Sequence, residues 1–180
     1  MGIAAAGGMD SPARLKAALS DHAEHLWRFS AHAVDLLLER AEGLGVAGQR
    51  GGSWRVSVGP DEQREWETSA ALLSRWGLDS RLLTQAEVEA AGAGRGFDGG
   101  LWRPGDGQVD LPGLLRALDQ ALQGRVERLE GPGAVQETLG GIRIATPSGV
   151  VRAEIAVVAS GVGAASAHPW FGPMIVPVRL

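Results

Sequence analysis

The sequence predicts an α/β (α+β) fold, and three observations carry that prediction. Apolar residues make up 44% of 180 residues, enough for a real core in a chain of this length. Apolar positions recur at three- and four-residue steps through most of the first 122 residues, but as short alternating runs after Gly124. Glycine is abundant, at 27 residues, while Tyr is absent and Phe occurs three times, a balance that suits a loop-rich mixed architecture.

Along the chain, an apolar lead-in ends at Gly7-Gly8-Met9. Asp10 or Ser11 then offers an N-cap and Pro12 occupies the favoured first helical position. Helical periodicity continues to about Glu42 with a break near Ser20-Asp21, and Leu26, Phe29, Ala33, Leu36 and Leu37 form the expected core face. Gly43 to Ser53 stops that helix, and alternation of Trp54, Val56 and Val58 predicts a half-buried strand. Pro60-Asp61 opens a helix to Trp76, with Trp66, Ala70, Leu73 and Trp76 on one side. Thr84 to Glu87 reads as a capping box for a short helix ending near Gly92.

Gly100 to Arg103 is a short strand, followed by the Gly/Asp turn GDGQVD. Asp110 is read as the N-cap of a helix to Leu122 that buries Leu111, Leu114, Leu115, Leu118 and Leu122. Strands are then expected at 126–129, 134–138, 142–146 and 150–158, with Pro147-Ser148-Gly149 turning the last hairpin and a further strand at 175–178.

Composition excludes several function classes. The formal charge of −4 is mixed in sign and carries no basic block, so nucleic acid is not an expected partner. No apolar run approaches the roughly 20 residues of a membrane span, and the N-terminus lacks the basic and apolar regions of a signal peptide. With no cysteine there is no disulfide framework, thiolate metal site or cysteine nucleophile, which agrees with an expected cytoplasmic location. His25 and His32 share a helix face but have no carboxylate partner at metal-ligand spacing, so no metal is assigned. Asp106 and Asp110 lack the closing glutamate of a calcium loop, and turn and cap roles suffice for them. No GxSxG elbow is present.

Two glycine loops remain. The strand AVVAS runs into Gly161-Val162-Gly163-Ala164-Ala165-Ser166, which imitates a dinucleotide fingerprint, but His168-Pro169 ends any following helix within a turn. A plain strand-to-loop exit and a cofactor-facing loop both fit these residues. Ala4 to Met9 offers small residues whose backbone N–H groups could approach a planar ligand.

Four stretches resemble the D-amino-acid oxidase superfamily, in particular its glycine oxidase and sarcosine oxidase-like branch. They are AAAGGM with its following helix, GGSWRVSVGPDE, GGLWRPGDGQVDLPGLLRALDQAL, and the run from GRVERLEGPGAV through TPSGVVRAEIAVVASG. The third is similar to the family signature GGL-x-x-P-x-DGQVDP-x-x-L, and the closing PVRL resembles the start of P-V-R-G-Q. The resemblance implies a partial FAD-binding (Rossmann-like) domain joined to part of a mixed-sheet substrate domain, truncated at both ends. It divides the chain into 1–45 (flavin loop and long helices), 46–105 (partial substrate domain) and 106–180 (helix and β-meander returning to the FAD domain).

The resemblance also implies FAD as cofactor and a small amine or amino acid as substrate, oxidised at a C–N bond by hydride transfer to the flavin. Gly7, Gly8 and Met9 match the flavin-ring loop, Val135 the backbone that pairs with the adenine edge, and Ala159 and Gly161 the crossing beside the dinucleotide. No catalytic side chain is implied. The family's GxGxxG unit has no counterpart before Gly2, nor does its C-terminal third. The chain is therefore expected to be an internal fragment that alone binds no flavin tightly and is inactive. Exposed edges point to a homo-oligomer or an aggregation-prone chain. The alternatives are a non-catalytic interaction or scaffold module and the oxidase portion of a tRNA-modifying enzyme.

Overall fold

The computed structural model describes residues 1–7, 10–131 and 133–174. It divides into two compact units, Met1–Gln123 and Gly124–Leu180.

In the first unit, β1 (Gly2–Ala4) leads to the loop 5–10 and then to α1 (Pro12–Leu19). Ser11 caps α1 by accepting the Arg14 N–H at 3.1 Å. Ser20, at φ +49, breaks the chain between α1 and α2 (His22–Gly43), where the sequence predicts an interruption. Next come β2 (Gly48–Gln49), β3 (Ser53–Ser57), α3 (Pro60–Arg75), β4 (Arg81–Thr84) and α4 (Gln85–Ala90), the last opened by the expected Thr84/Glu87 capping box. Then β5 (Gly99–Arg103), β6 (Gly107–Val109) and α5 (Leu111–Leu122) complete the unit.

Two antiparallel sheets result, ordered β1-β6-β2 and β3-β5-β4. The segment GGLWRPGDGQV thus supplies the central strand of both, with Asp106 in the connection between them. Gly100 is required where β5 crosses β3, because a Cβ there would lie 2.4 Å from the Arg55 carbonyl oxygen. Strands β1, β2, β4 and β6 are absent from the sequence-based expectation. They are two to four residues long, too short to show a period.

The main core joins Ala6, Leu15, Ala23, Trp27, Leu72, Leu73, Trp76 and Leu101; a second, smaller one joins Ala41, Val109 and Leu114. On α2 the buried stripe differs from the apolar face read in the sequence, of which Leu37 packs against the smaller core. Ala23, Trp27, Val34 and Ala41 are buried, whereas Leu26, Phe29 and Leu36 are exposed. The small residues of the buried stripe admit α1 and the 5–7 loop at close range, with Trp27 filling the space between. The strand β3 is turned over. Trp54 is exposed and Ser57 is buried, its hydroxyl 2.7 Å from Gln63 Oε1.

On α5 only Leu114 is buried, with Leu118 packed against the smaller core, while Leu111, Leu115 and Leu122 stay exposed. Asp110 stands at the N-cap position but makes no side-chain cap bond.

The second unit is a meander of β7 (Ala134–Thr138), β8 (Gly141–Thr146) and β9 (Gly149–Ala153), turned at Pro147-Ser148 as expected. A 3₁₀ turn at Gly161–Gly163 and α6 (Ala164–Ala167) follow. The expected strand at 126–129 does not form: Val126 and Leu129 are exposed, and among the described residues no strand pairs with them. The strand predicted over 150–158 ends at Ala153 because β8 offers no register beyond Ile142↔Ala153. The strand expected at 175–178 lies outside the described residues.

Candidate functional site

The loop after β1 is held from three sides. Ala6 donates its N–H to Asp106 Oδ1 at 3.1 Å, and its carbonyl accepts from Arg55 Nη2 at 2.9 Å. Gly7 donates its N–H to Ser30 Oγ at 2.8 Å, and that hydroxyl donates to the Trp27 carbonyl at 2.7 Å. Beneath the loop lies the Trp27 ring. A Cβ on Gly7, at φ +78, would fall 2.0 Å from a ring carbon, so only glycine fits both the backbone angle and the space. Arg55 Nη1 also donates to the Asp10 carbonyl at 3.2 Å, so one guanidinium spans the chain from Ala6 to Asp10.

Asp106 is fully buried and also accepts from the Ser53 hydroxyl at 2.6 Å. Its other charged neighbour is the buried Arg103, whose Nε stands 3.6 Å from Asp106 Oδ1. Both arginines face Trp27, with Cζ at 6.0 Å (Arg55) and 5.5 Å (Arg103) from a ring centroid. Burial lowers the Arg55 pKa from its ordinary value; Asp106 acts against this shift and Arg103 adds to it. Among the described residues, Trp27 Nε1 and Arg103 Nε and Nη1 have no hydrogen-bond partner.

Beside the loop runs an open groove of about 640 Å³, walled by Ile3, Ala4, Ala5 and Gly7 on one side and by Leu26, Phe29 and Ala33 of α2 on the other. The groove is largely apolar, with Asp10 and Ser30 as the polar residues of its lining, and the loop edge beside it is backbone. That combination suits an uncharged planar ring better than an ionic ligand, so the flavin ring fits the residues present. The exposed face of α2, which the sequence assigns to the core, is one wall of this groove.

Of the residues selected from sequence, Gly7 is in this loop, whereas Gly8 and Met9 lie outside the described residues. The other three belong to the second unit. Val135 pairs with Ile144 and lines a pocket of about 280 Å³ with Ile142, Val158, His168 and Phe171. Ala159 is exposed in the irregular segment after β9, and Gly161, at φ +55, opens the 3₁₀ turn. Asp106, Arg55 and Ser30 were not selected. The acid inside GDGQVD was the available signal, since an aspartate between two strand-forming runs needs partners when buried.

Residues 3–180 match the family model DAO, FAD dependent oxidoreductase. Among solved structures, glycine oxidase from Geobacillus kaustophilus is 23% identical over 92% of this chain and 45% of its own, with a TM-score of 0.63. Iminodiacetate oxidase from Chelativorans sp. BNC1 is 18% identical over 92% of this chain and 46% of its own, at 0.59. L-proline dehydrogenase from P. horikoshii is 17% identical over 76% and 39%, also at 0.59. The chain therefore spans a little under half the length of the first solved relatives it matches. A search of curated protein sequences gives no significant match. Among the described residues no helix is long and apolar enough to cross a membrane.

Proposed function

Because this chain belongs to the DAO family of FAD-dependent oxidoreductases, we propose that it forms part of an enzyme that oxidises the C–N bond of a small amine or amino acid. Bound FAD supplies the two-electron acceptor for that oxidation. Gly7, Gly8 and Met9 would lie against the flavin ring, while Val135, Ala159 and Gly161 would approach the dinucleotide through backbone groups. The three-part division at 45/46 and 105/106 belongs to the same reading.

The observation that carries this reading is the pinned loop. Asp106 and Arg55 fix both ends of Ala6, and Ser30 fixes the next peptide N–H. Such a loop presents backbone in one fixed geometry beside a largely apolar groove, in whose lining Asp10 carries the ionisable group. Its task is to position and to exclude water, which is what a protein contributes when the cofactor carries the chemistry. The solved relatives support the substrate class, because glycine oxidase, iminodiacetate oxidase and L-proline dehydrogenase are named for small amino acids.

The test is a substrate panel on the complete natural polypeptide loaded with FAD. Anaerobic bleaching of the visible flavin band by glycine, sarcosine, iminodiacetate or proline supports the proposal. A flavin that binds but is reduced by none of a broad set of amines contradicts the substrate class. A protein that takes up no FAD contradicts the cofactor assignment.

A further inference from the structure

We propose that Arg55, Asp106 and Ser30 act as positioning residues that set the backbone geometry of Ala6 and Gly7 for flavin binding. This rests on the reading that the loop faces the flavin. Asp106 belongs to the GDGQVD turn, and the three come from three different places: Arg55 from β3, Asp106 from the β5–β6 connection and Ser30 from α2.

Three features separate this arrangement from ordinary packing. Both polar groups of Ala6 are taken by charged side chains from different places in the chain: its N–H by Asp106 and its carbonyl by Arg55. The guanidinium forks to the carbonyls of Ala6 and Asp10, which fixes the carbonyl that immediately precedes Gly7. A single point charge cannot reproduce that two-carbonyl geometry. Finally, Arg55 and Asp106 stand outside the groove lining while Ser30 forms part of it, and Trp27 closes the space under Gly7. The loop therefore cannot relax inward, and its orientation toward the groove follows from the three contacts.

Hydrogen bonds from a charged donor are strong enough to matter here. Loss of the Arg55 fork should weaken FAD binding roughly 10- to 100-fold. Arg55→Met removes the fork, and Arg55→Lys keeps the charge without it. Ser30→Ala removes one contact to Gly7 at a half-exposed position, so it remains informative if the arginine variants fold poorly.

The experiment measures FAD affinity by fluorescence quenching, and the bound-flavin visible spectrum, in the complete natural polypeptide. Hydrogen exchange at the Ala6 and Gly7 amides is followed alongside. The proposal expects weaker binding and an altered flavin band in Arg55→Met, incomplete rescue by Arg55→Lys, and faster Gly7 exchange with weaker binding in Ser30→Ala. Unchanged affinity and spectrum in folded Arg55→Met and Ser30→Ala proteins overturn the positioning role while leaving the flavin assignment intact. Full rescue by Arg55→Lys overturns it too, because charge alone would then suffice. Failure of the wild-type protein to bind FAD is a distinct result that removes the underlying reading and this one with it.

Discussion

Replacing Asp106 by Asn keeps the side-chain shape and removes its charge, at a position with no measurable exposure. The Ala6 N–H, at 3.1 Å, then donates to a neutral amide oxygen, and the Ser53 hydroxyl, at 2.6 Å, must turn to accept from the Asn amide N–H. Each such change costs about 1 kcal/mol. Arg103 also loses the carboxylate that stands 3.6 Å from its Nε, and leaving one partner of a buried pair uncompensated costs roughly 3–5 kcal/mol in good geometry. The 3.6 Å separation is longer than a hydrogen bond, so this contribution falls below that range, to about 1 kcal/mol, and together with the two hydrogen bonds the expected total is about 3 kcal/mol. For the 1–123 unit that corresponds to a drop in Tm of roughly 10 °C. Urea unfolding read by tryptophan fluorescence measures it, because Trp27, Trp54, Trp66, Trp76 and Trp102 all lie in this unit. A double variant, Arg103→Met with Asp106→Asn, should recover the part of the loss that comes from the uncompensated guanidinium, since no buried charge then remains at that pair. A single-variant loss under about 1 kcal/mol would refute the assignment of Asp106 as the anchor of this cluster.

Other expectations follow from the same structure. Leu73→Ala, at the fully buried centre of the main core, should cost about 2–5 kcal/mol by urea unfolding, while Phe29→Ser on the exposed face of α2 should stay within about 0.5 kcal/mol. Gly7→Ala should destabilise the unit by about 2–4 kcal/mol in the same assay, from a left-handed backbone angle and a Cβ placed 2.0 Å from the Trp27 ring. The Glu87 carboxyl is lowered to about 2, first by the Thr84 backbone N–H and then by the Arg81 side chain and the Thr84 hydroxyl. A depressed folded-state value means that its contribution is full above the ordinary 4.5 and is lost as pH falls toward about 2. The urea-midpoint difference between wild type and Glu87→Gln should therefore shrink over that interval and be constant above it.

Helix boundaries were largely legible from local chemistry. Pro12, Pro60 and the Thr84/Glu87 box mark starts that the structure reproduces, and the break at Ser20 is where the pattern falters. Faces were less legible, because α2 carries two apolar stripes and periodicity alone cannot say which one meets a neighbour. Close packing selects the stripe with alanines at 23 and 41 and Trp27 between them, and the leucine-rich stripe borders the groove. Strands of two to four residues are invisible to a period-two search, so the sheet built on β6 could not be read. In the candidate site, Gly7 was reached through the family motif, whereas its clamp was not. Ser30, Arg55 and Asp106 contact the loop across 23, 49 and 100 residues of sequence, distances that no local pattern encodes.

The central claim is that the Ala6–Gly7 loop meets the flavin, and amide NMR during FAD titration tests it most directly, because it detects weak binding residue by residue. Saturable shifts at the Ala6 and Gly7 amides, joined by Val135 and Gly161, are the predicted result. Saturation with FAD while the Ala6 and Gly7 amides stay unmoved would contradict it.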